Sequence, residues 1–373
     1  MKLRKAIFIV GSVVWAAQVL AQAEVRKYSN EFMDIGADAK GLSLGNAQSA
    51  FRDDAFAGYF NPAGLAQINN TFQVGLTHAE WFAGIGKFDV VAAAVPFDEK
   101  KRVIGFTFQR FGVDDIPNTL FLYGPDGTPD YSKITSFSTA DYSFNIHYAQ
   151  KFPIKGLTAG GSVKIIYRQV GKFAHAYGFG IDLGLQYRWK GLRTGLSLRD
   201  ITSTFTSWSF NFTDAEKAVL VATGNELPKN STELRTPLIN LGIGYEINVK
   251  NKFFIRPEVD FIFSTDGKRN MLVAGKPISM DIAAGLELDL FRIGYIRAGI
   301  NNIQRYYAED GKQHYAVAPS VGAGVRIKVV QIDYALANLT AIKDASRNNG
   351  LYSHVVSLRL DINIKKKKAE TKE

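Results

Sequence analysis

The residues whose types and spacing could do chemistry crowd into one stretch, Gly41 to Ile68, GLSLGNAQSAFRDDAFAGYFNPAGLAQI. Gly41-Leu42-Ser43-Leu44-Gly45 matches the G-x-S-x-G nucleophile elbow. That motif exposes a serine on a strand-to-helix turn and needs a His-acid pair to activate it. No strand pattern precedes it here, so the match does not carry acyl transfer. The histidines His78, His147, His175, His314 and His354 show no i,i+2 or i,i+4 metal spacing. Neither GxxxxGK[ST] nor a GxGxxG opening a helix occurs. No catalytic residue, metal or cofactor is implied. What remains is a small-residue segment with an acidic pair, Asp53-Asp54, ending in Asn61-Pro62-Ala63-Gly64. Such a segment suits a plug packed inside a closed sheet, with Asp53 or Asp54 paired to lumen cations such as Arg326 or Arg359.

The elements that would surround such a plug follow Asn70. Strict alternation runs through Tyr352–Ile364, where Val356, Leu358, Leu360 and Ile362 oppose Ser357, Arg359, Asp361 and Asn363. Leu241, Ile243, Tyr245 and Ile247 oppose Gly242, Gly244, Glu246 and Asn248 in the same way. The polar face is rich in Gly and carries mid-strand charges, Glu258, Asp260, Glu287, Arg326 and Asp333 among them. Segments of about ten residues fit a tilted strand crossing a bilayer, and aromatics such as Tyr187 and Trp189 sit near strand ends. Strands are expected at 71–79, 85–95, 102–111, 141–150, 156–168, 177–189, 192–200, 237–248, 252–264, 281–290, 292–300, 317–328, 329–339 and 352–364. Links after even-numbered strands are tight, and those after odd-numbered strands mostly long. The fold class is therefore an all-β, transmembrane, outer-membrane antiparallel barrel of about 14 strands with an N-terminal plug of short helices, both termini periplasmic. Closure follows because hydrocarbon leaves no partner for an open sheet edge.

Address and composition agree. Lys2, Arg4 and Lys5 precede an apolar run from Ala6 to Leu20 and an Ala21-Gln22-Ala23 cleavage site, a signal peptide over residues 1–23. Residues 24–70 would be the plug segment, 71–364 the barrel and Lys365–Glu373 a charged periplasmic tail. Cleavage takes the formal charge from +10 to about +7, because the leader holds three cations and no acid. That charge is spread along the chain, which excludes a nucleic-acid patch. With no cysteine in the chain, export brings no disulfide.

Two long links carry apolar residues. In Ile201–Thr236, Phe205, Trp208, Phe210 and Phe212 precede Thr213-Asp214-Ala215-Glu216, a capping box leading a short helix from Ala215 to Ala222. In Gly112–Ala140, Phe121 and Tyr123 precede a Gly-Pro-Asp-Gly turn. These residues would line the barrel mouth as a lid, or face a protein partner or an apolar ligand.

A secreted fourteen-strand barrel opened by a plug resembles the FadL-like family of outer-membrane proteins. The block from Phe32 to Ala47, then Asp53-Asp54-Ala55 and Asn61-Pro62-Ala63-Gly64-Leu65-Ala66, is similar to the PorV/PorQ branch of the Bacteroidota, with Lys40 and Leu44 departing slightly from its usual phrase. The resemblance implies a plug role for Asn61, Pro62 and Gly64. It also implies a non-enzymatic barrel serving a protein secretion or assembly machine, type IX secretion foremost. Its partners would be outer-membrane lipids or lipopolysaccharide, other outer-membrane or periplasmic proteins, and secreted cargo C-terminal domains. The alternative from the same family is a channel for hydrophobic compounds.

Overall fold

The computed structural model describes residues 24–25, 29–124, 126–307, 311–339 and 352–363. The expected signal peptide and the charged tail lie outside them. Fourteen antiparallel strands form the wall. β1 (Phe72–Trp81), β2 (Gly86–Phe97), β3 (Arg102–Asn118), β4 (Thr135–Lys151), β5 (Leu157–Val170) and β6 (Ala174–Trp189) come first. β7 is split into Leu192–Arg199 and Thr204–Phe210, and β8 into Ser231–Arg235, Leu238–Tyr245 and Ile247–Val249. β9 (Phe253–Ser264), β10 (Ser279–Leu290), β11 (Gly294–Tyr307), β12 (Gln313–Ile327), β13 (Val330–Asn338) and β14 (Tyr352–Ile362) complete the set. Neighbours pair in order, and β14 closes on β1 from Val355↔Ala79 to Ile362↔Phe72.

The alternation reads as expected. Leu241, Ile243 and Tyr245 are 47–51% exposed on the outer face, while Glu258, Asp260 and Glu287 are at most 4% exposed on the inner one. Outside lies an apolar belt suited to lipid, and inside a wall of Gly and charge. The tight links keep their parity. At Lys190-Gly191 the lysine takes φ 52°, the left-handed conformation a two-residue hairpin demands.

The long links are shorter than expected, because the strands run on past the belt. β3 and β4 leave only residues 119–134 between them, and β7 and β8 leave 211–230. Phe205, Trp208 and Phe210 therefore stand on a strand. The break in β7 has a local cause, with Asp200 and Ser203 at φ 55° and 56°. In β8, Pro237 follows the first segment and cannot donate to a ladder. A two-residue strand, Glu24–Val25, pairs in parallel with Ser231–Arg235.

Inside the wall sits the plug: a 3-10 turn at Glu31–Asp34, α1 (Ala39–Ser43), α2 (Ala57–Phe60) and a 3-10 turn at Pro62–Gln67. Asp38 caps α1 by accepting from Gly41 N at 3.0 Å. Asn61 caps the last turn by accepting from Ala63 N at 3.1 Å, with Pro62 in the first position, where it forfeits no bond. Phe56, Leu65 and Ile68 pack with alanines into a core that is almost wholly buried. The plug main chain lies against inward-facing wall glycines. A side chain at Gly195 would strike the Ser49 carbonyl, at Gly299 the backbone of Leu44 and Gly45, and at Gly160 that of Pro62.

Gly64 obeys the same constraint within the plug, where an added Cβ would run into the Arg52 carbonyl. Replacing Gly64 with Leu is expected to unseat the plug or block assembly. A wild-type yield of folded, heat-modifiable barrel on unboiled gels would contradict that.

Candidate functional site: the lumen and its outer groove

The acidic pair splits in the structure. Asp54 reaches Arg359 at 2.7 Å, as the sequence leads one to expect, and Arg52 at 2.7 Å. Asp53 turns away toward Arg188 at 3.4 Å, half exposed. Arg326 pairs with Asp361 at 2.8 Å instead of with the plug. The residue that sequence reasoning missed is Arg52. Fully buried, it holds Asp38 at 2.6 Å as well as Asp54, and its guanidinium lies 5.2–5.5 Å from the rings of Phe56 and Phe60. Burial alone would raise the Asp54 pKa, but Arg52 and Arg359 outweigh it and hold the carboxyl well below its usual range. The signal was an arginine beside an acidic pair in an otherwise apolar segment.

Two wall carboxylates grip the next stretch of plug by its backbone. Asp260 accepts from Gln48 N and Ser49 N at 3.1 Å each, and Glu258 accepts from Ala50 N at 2.6 Å. Asn61 donates to the Ser49 carbonyl at 2.8 Å and to the Leu185 carbonyl of β6 at 3.1 Å, tying plug to wall. Pro62 and Gly64 are buried beside it. Toward the N-terminus, Asp34 lies between Arg199 at 2.9 Å and Arg235 at 2.6 Å, beside the break in the wall.

The plug divides the lumen. Below it, at the tight-turn rim, a cavity of about 310 Å³ is lined by eight cationic and five acidic side chains, Arg188, Arg256 and Asp289 among them. Above it lies a larger chamber of about 750 Å³, floored by plug residues Phe32, Ile35, Leu42 and Phe60 and walled by Phe111, Asn240, Asn301 and Ala337. Beyond the chamber, between the extended outer strands, an open groove of about 760 Å³ is lined by Phe137, Phe173, Trp208, Phe210 and Phe212. Its rings form a continuous series, with centroids 5.3 Å apart for Phe137–Phe173, 5.7 Å for Phe173–Phe212 and 6.4 Å for Phe210–Phe212. Groove and chamber meet at Glu233, which lines both. At that junction Arg168 sits 5.0 Å from the Trp208 ring and pairs with Asp141 at 2.8 Å.

Not every expected loop residue joins this groove. Phe205 lies on the opposite strand face from the buried Thr204 and Thr206, opposite Phe179 of the outer surface. Period-two alternation thus separates it from Trp208 and Phe210. Phe121 and Tyr123 are exposed at 37% and 68%, and their neighbour Leu120 lines the groove instead. The capping box does form, with Thr213 and Glu216 exchanging bonds at the start of α3 (Asp214–Ala222). Ser43 lies in α1 with its hydroxyl bonded to the Lys40 carbonyl at 2.8 Å, not on a strand-to-helix turn. His147 is buried between Ser162 at 2.6 Å and Thr107 at 2.9 Å. Among the described residues no group of three His, Cys, Asp or Glu could hold a metal.

No protein-family model matches the sequence, and no curated protein matches it. Solved structures do share the fold. The toluene transporter TodX of P. putida aligns at TM-score 0.52 with 14% identity, over 88% of this chain and 99% of that one. CymD, a monoaromatic hydrocarbon channel, gives 0.52 and 11%, over 88% and 98%. A Pseudomonas aeruginosa FadL homologue gives 0.50 and 11%, over 88% and 98%. The architecture is FadL-like. At such identities the likeness speaks for the fold alone.

Arg52 supplies the test of the plug's anchoring. Arg52→Ala strips Asp38 of its cation and leaves Asp54 with Arg359 alone, and breaking such a buried pair typically costs about 3–5 kcal/mol. The variant is expected to lose its heat-modifiable form at a clearly lower temperature than wild type, with Arg52→Lys between the two. An unchanged transition would remove Arg52 from the role of anchor.

Proposed function

We propose that this chain is an outer-membrane channel that takes up small, ring-containing hydrophobic compounds, non-enzymatically, with its tight turns and both termini on the periplasmic side. The observation that carries the reading is the aromatic groove opening at the outer end of the lumen, one ion-paired arginine away from a chamber large enough for a small ligand. Pockets of this size, mostly apolar with a few placed polar groups, are the usual form of a ligand site. Phe173, Trp208, Phe210 and Phe212 offer ring faces and edges on which an aromatic guest stacks. Arg168 and Trp208 stand where groove becomes chamber, so they would act as the first threshold. The FadL-like fold supports this reading, since TodX and CymD bear names that describe toluene and monoaromatic transport.

A second reading rests on the Phe32–Ala66 block and its PorV/PorQ likeness: a barrel that shuttles cargo within a secretion or assembly complex. The residues of that block whose partners are described serve seating, through Asp38, Arg52, Asp54 and Asn61. That use is equally needed in a channel. Gentle purification from outer membranes separates the two, because co-recovery of a translocon or cargo would favour the second.

Uptake assays test the first. Cells expressing Trp208→Ala/Phe210→Ala are expected to accumulate labelled small aromatic compounds about tenfold more slowly than wild type, on the scale of two ring contacts at 0.5–1.5 kcal/mol each. Accumulation equal to wild type, at equal amounts of folded barrel, would overturn the reading.

A further inference from the structure

The two rims of the barrel differ in charge. Six tight links close one end: 98–101, 152–156, 190–191, 250–252, 291–293 and 328–329. Every one of them carries a lysine or an arginine, and together they hold eight cations against two acids. The links at the other end hold ten cations against nine acids by sequence. The two acids of the tight links, Asp98 and Glu99, are both met locally, by Arg102 at 3.5 Å and Lys101 at 3.4 Å. The other five links contain no acid. Asp53, Glu246 and Asp289 lie at this end too, but they line the cavity inside the lumen, each beside an arginine. Lys155, Lys250, Lys252 and Lys328 are exposed and, among the described residues, pair with no acid. Lys190 stands over the Trp189 ring at 5.0 Å.

Where these cations stand decides what they can meet. In the five links without an acid, each cation adjoins an exposed apolar residue at the edge of the lipid belt. Trp189 precedes Lys190, Phe253 follows Lys252, and Ile327 and Val329 bracket Lys328. A lysine set there lays its stem against hydrocarbon and holds its ammonium at headgroup depth. The links join every second pair of strands around a closed wall, so the cations recur around the whole circumference. A globular protein docks on one patch, whereas a bilayer surface meets a ring. We infer that this rim seats in a leaflet of anionic phospholipid, its lysines receiving the phosphates of headgroups of the phosphatidylglycerol class. Free phosphate shares that chemistry but lacks the acyl chains that the flanking apolar residues meet. The balanced charge of the opposite rim supplies no such attraction. The inference rests on the barrel spanning a membrane and not on what passes through it, so its failure leaves the channel reading in place.

The experiment is native mass spectrometry of the purified barrel released from mixed micelles of equimolar phosphatidylglycerol and phosphatidylcholine. It is repeated on the variant Lys155→Gln/Lys190→Gln/Lys250→Gln/Lys252→Gln/Lys328→Gln. Wild type is expected to retain phosphatidylglycerol about tenfold more than phosphatidylcholine, on the scale of one or two lysines per headgroup, with the preference fading as salt rises. The variant is expected to retain the two lipids equally. Equal retention by wild type would overturn the inference, and a preference unchanged in the variant would overturn its assignment to this rim. Loss of the preference in inorganic phosphate, but not in chloride of the same ionic strength, would make the rim a site for free anions and refute the lipid seat. Equal lipid retention, together with an acidic protein that co-purifies with wild type and not with the variant, would give the rim to a protein partner instead. Should the variant fail to fold, the wild-type ratio and its salt dependence decide.

Discussion

The structure depends on one constraint: the plug main chain must lie flat against the inside of the barrel wall. Plug backbone groups that face the wall have lost water, and each needs a partner. Wall carboxylates Asp260 and Glu258 meet the amides of residues 48–50, and Asn61 meets the carbonyls of Ser49 and Leu185. Such short bonds require contact distance, and contact distance requires that the wall carry no side chain at the crossing. Hence glycine at 160, 195 and 299. A wall residue as small as alanine at Gly195 would overlap the Ser49 carbonyl and lift the segment off both carboxylates. The inward glycines and the inward charges are thus two halves of one device.

That device explains which parts of the fold the sequence discloses. Strand identity is local: Leu241-Gly242-Ile243-Gly244-Tyr245 states both its period and its facing within five residues. Tight turns are local too, so strand number and parity follow. Strand length beyond the lipid belt is not local. β3, β4, β7 and β8 continue past it because their outer ends pair with each other, and polar or aromatic residues in such extensions read as loop. For that reason the sequence groups Phe205 with Trp208 and Phe210, whereas alternation on a strand sends it to the outer face.

The site was legible in part for a related reason. An acidic pair in a small-residue segment signals an anchored plug, and Asp54 meets Arg359 across 305 positions of sequence. Arg52 could have been singled out, because an arginine buried among Phe and Ala needs acids on two sides. The chamber could not. Asn46 belongs to the plug and Asn240 to β8, and nothing in either neighbourhood reveals that both residues line one space. A cavity belongs to the assembled barrel, and its lining is drawn from segments far apart in the chain.

The two halves of the lumen also differ in what they can yield. Below the plug, arginines and acids interlock, as in Arg256 with Glu246, Glu287 and Asp289. Opening any one of them leaves charge buried, a cost of several kcal/mol per ion. Above the plug the chamber mixes apolar side chains and amides with ion pairs such as Arg199 with Asp34 and Arg168 with Asp141, and the groove beyond it is walled by aromatic rings. The anchoring energy is concentrated where the chain must not move, around Arg52, Asp54 and Asp260. The aromatic ring surface is concentrated in the groove, away from those anchors. The charged contacts that seat the plug and the aromatic rings of the groove are thus carried by separate residues, and a change in one set leaves the other in place.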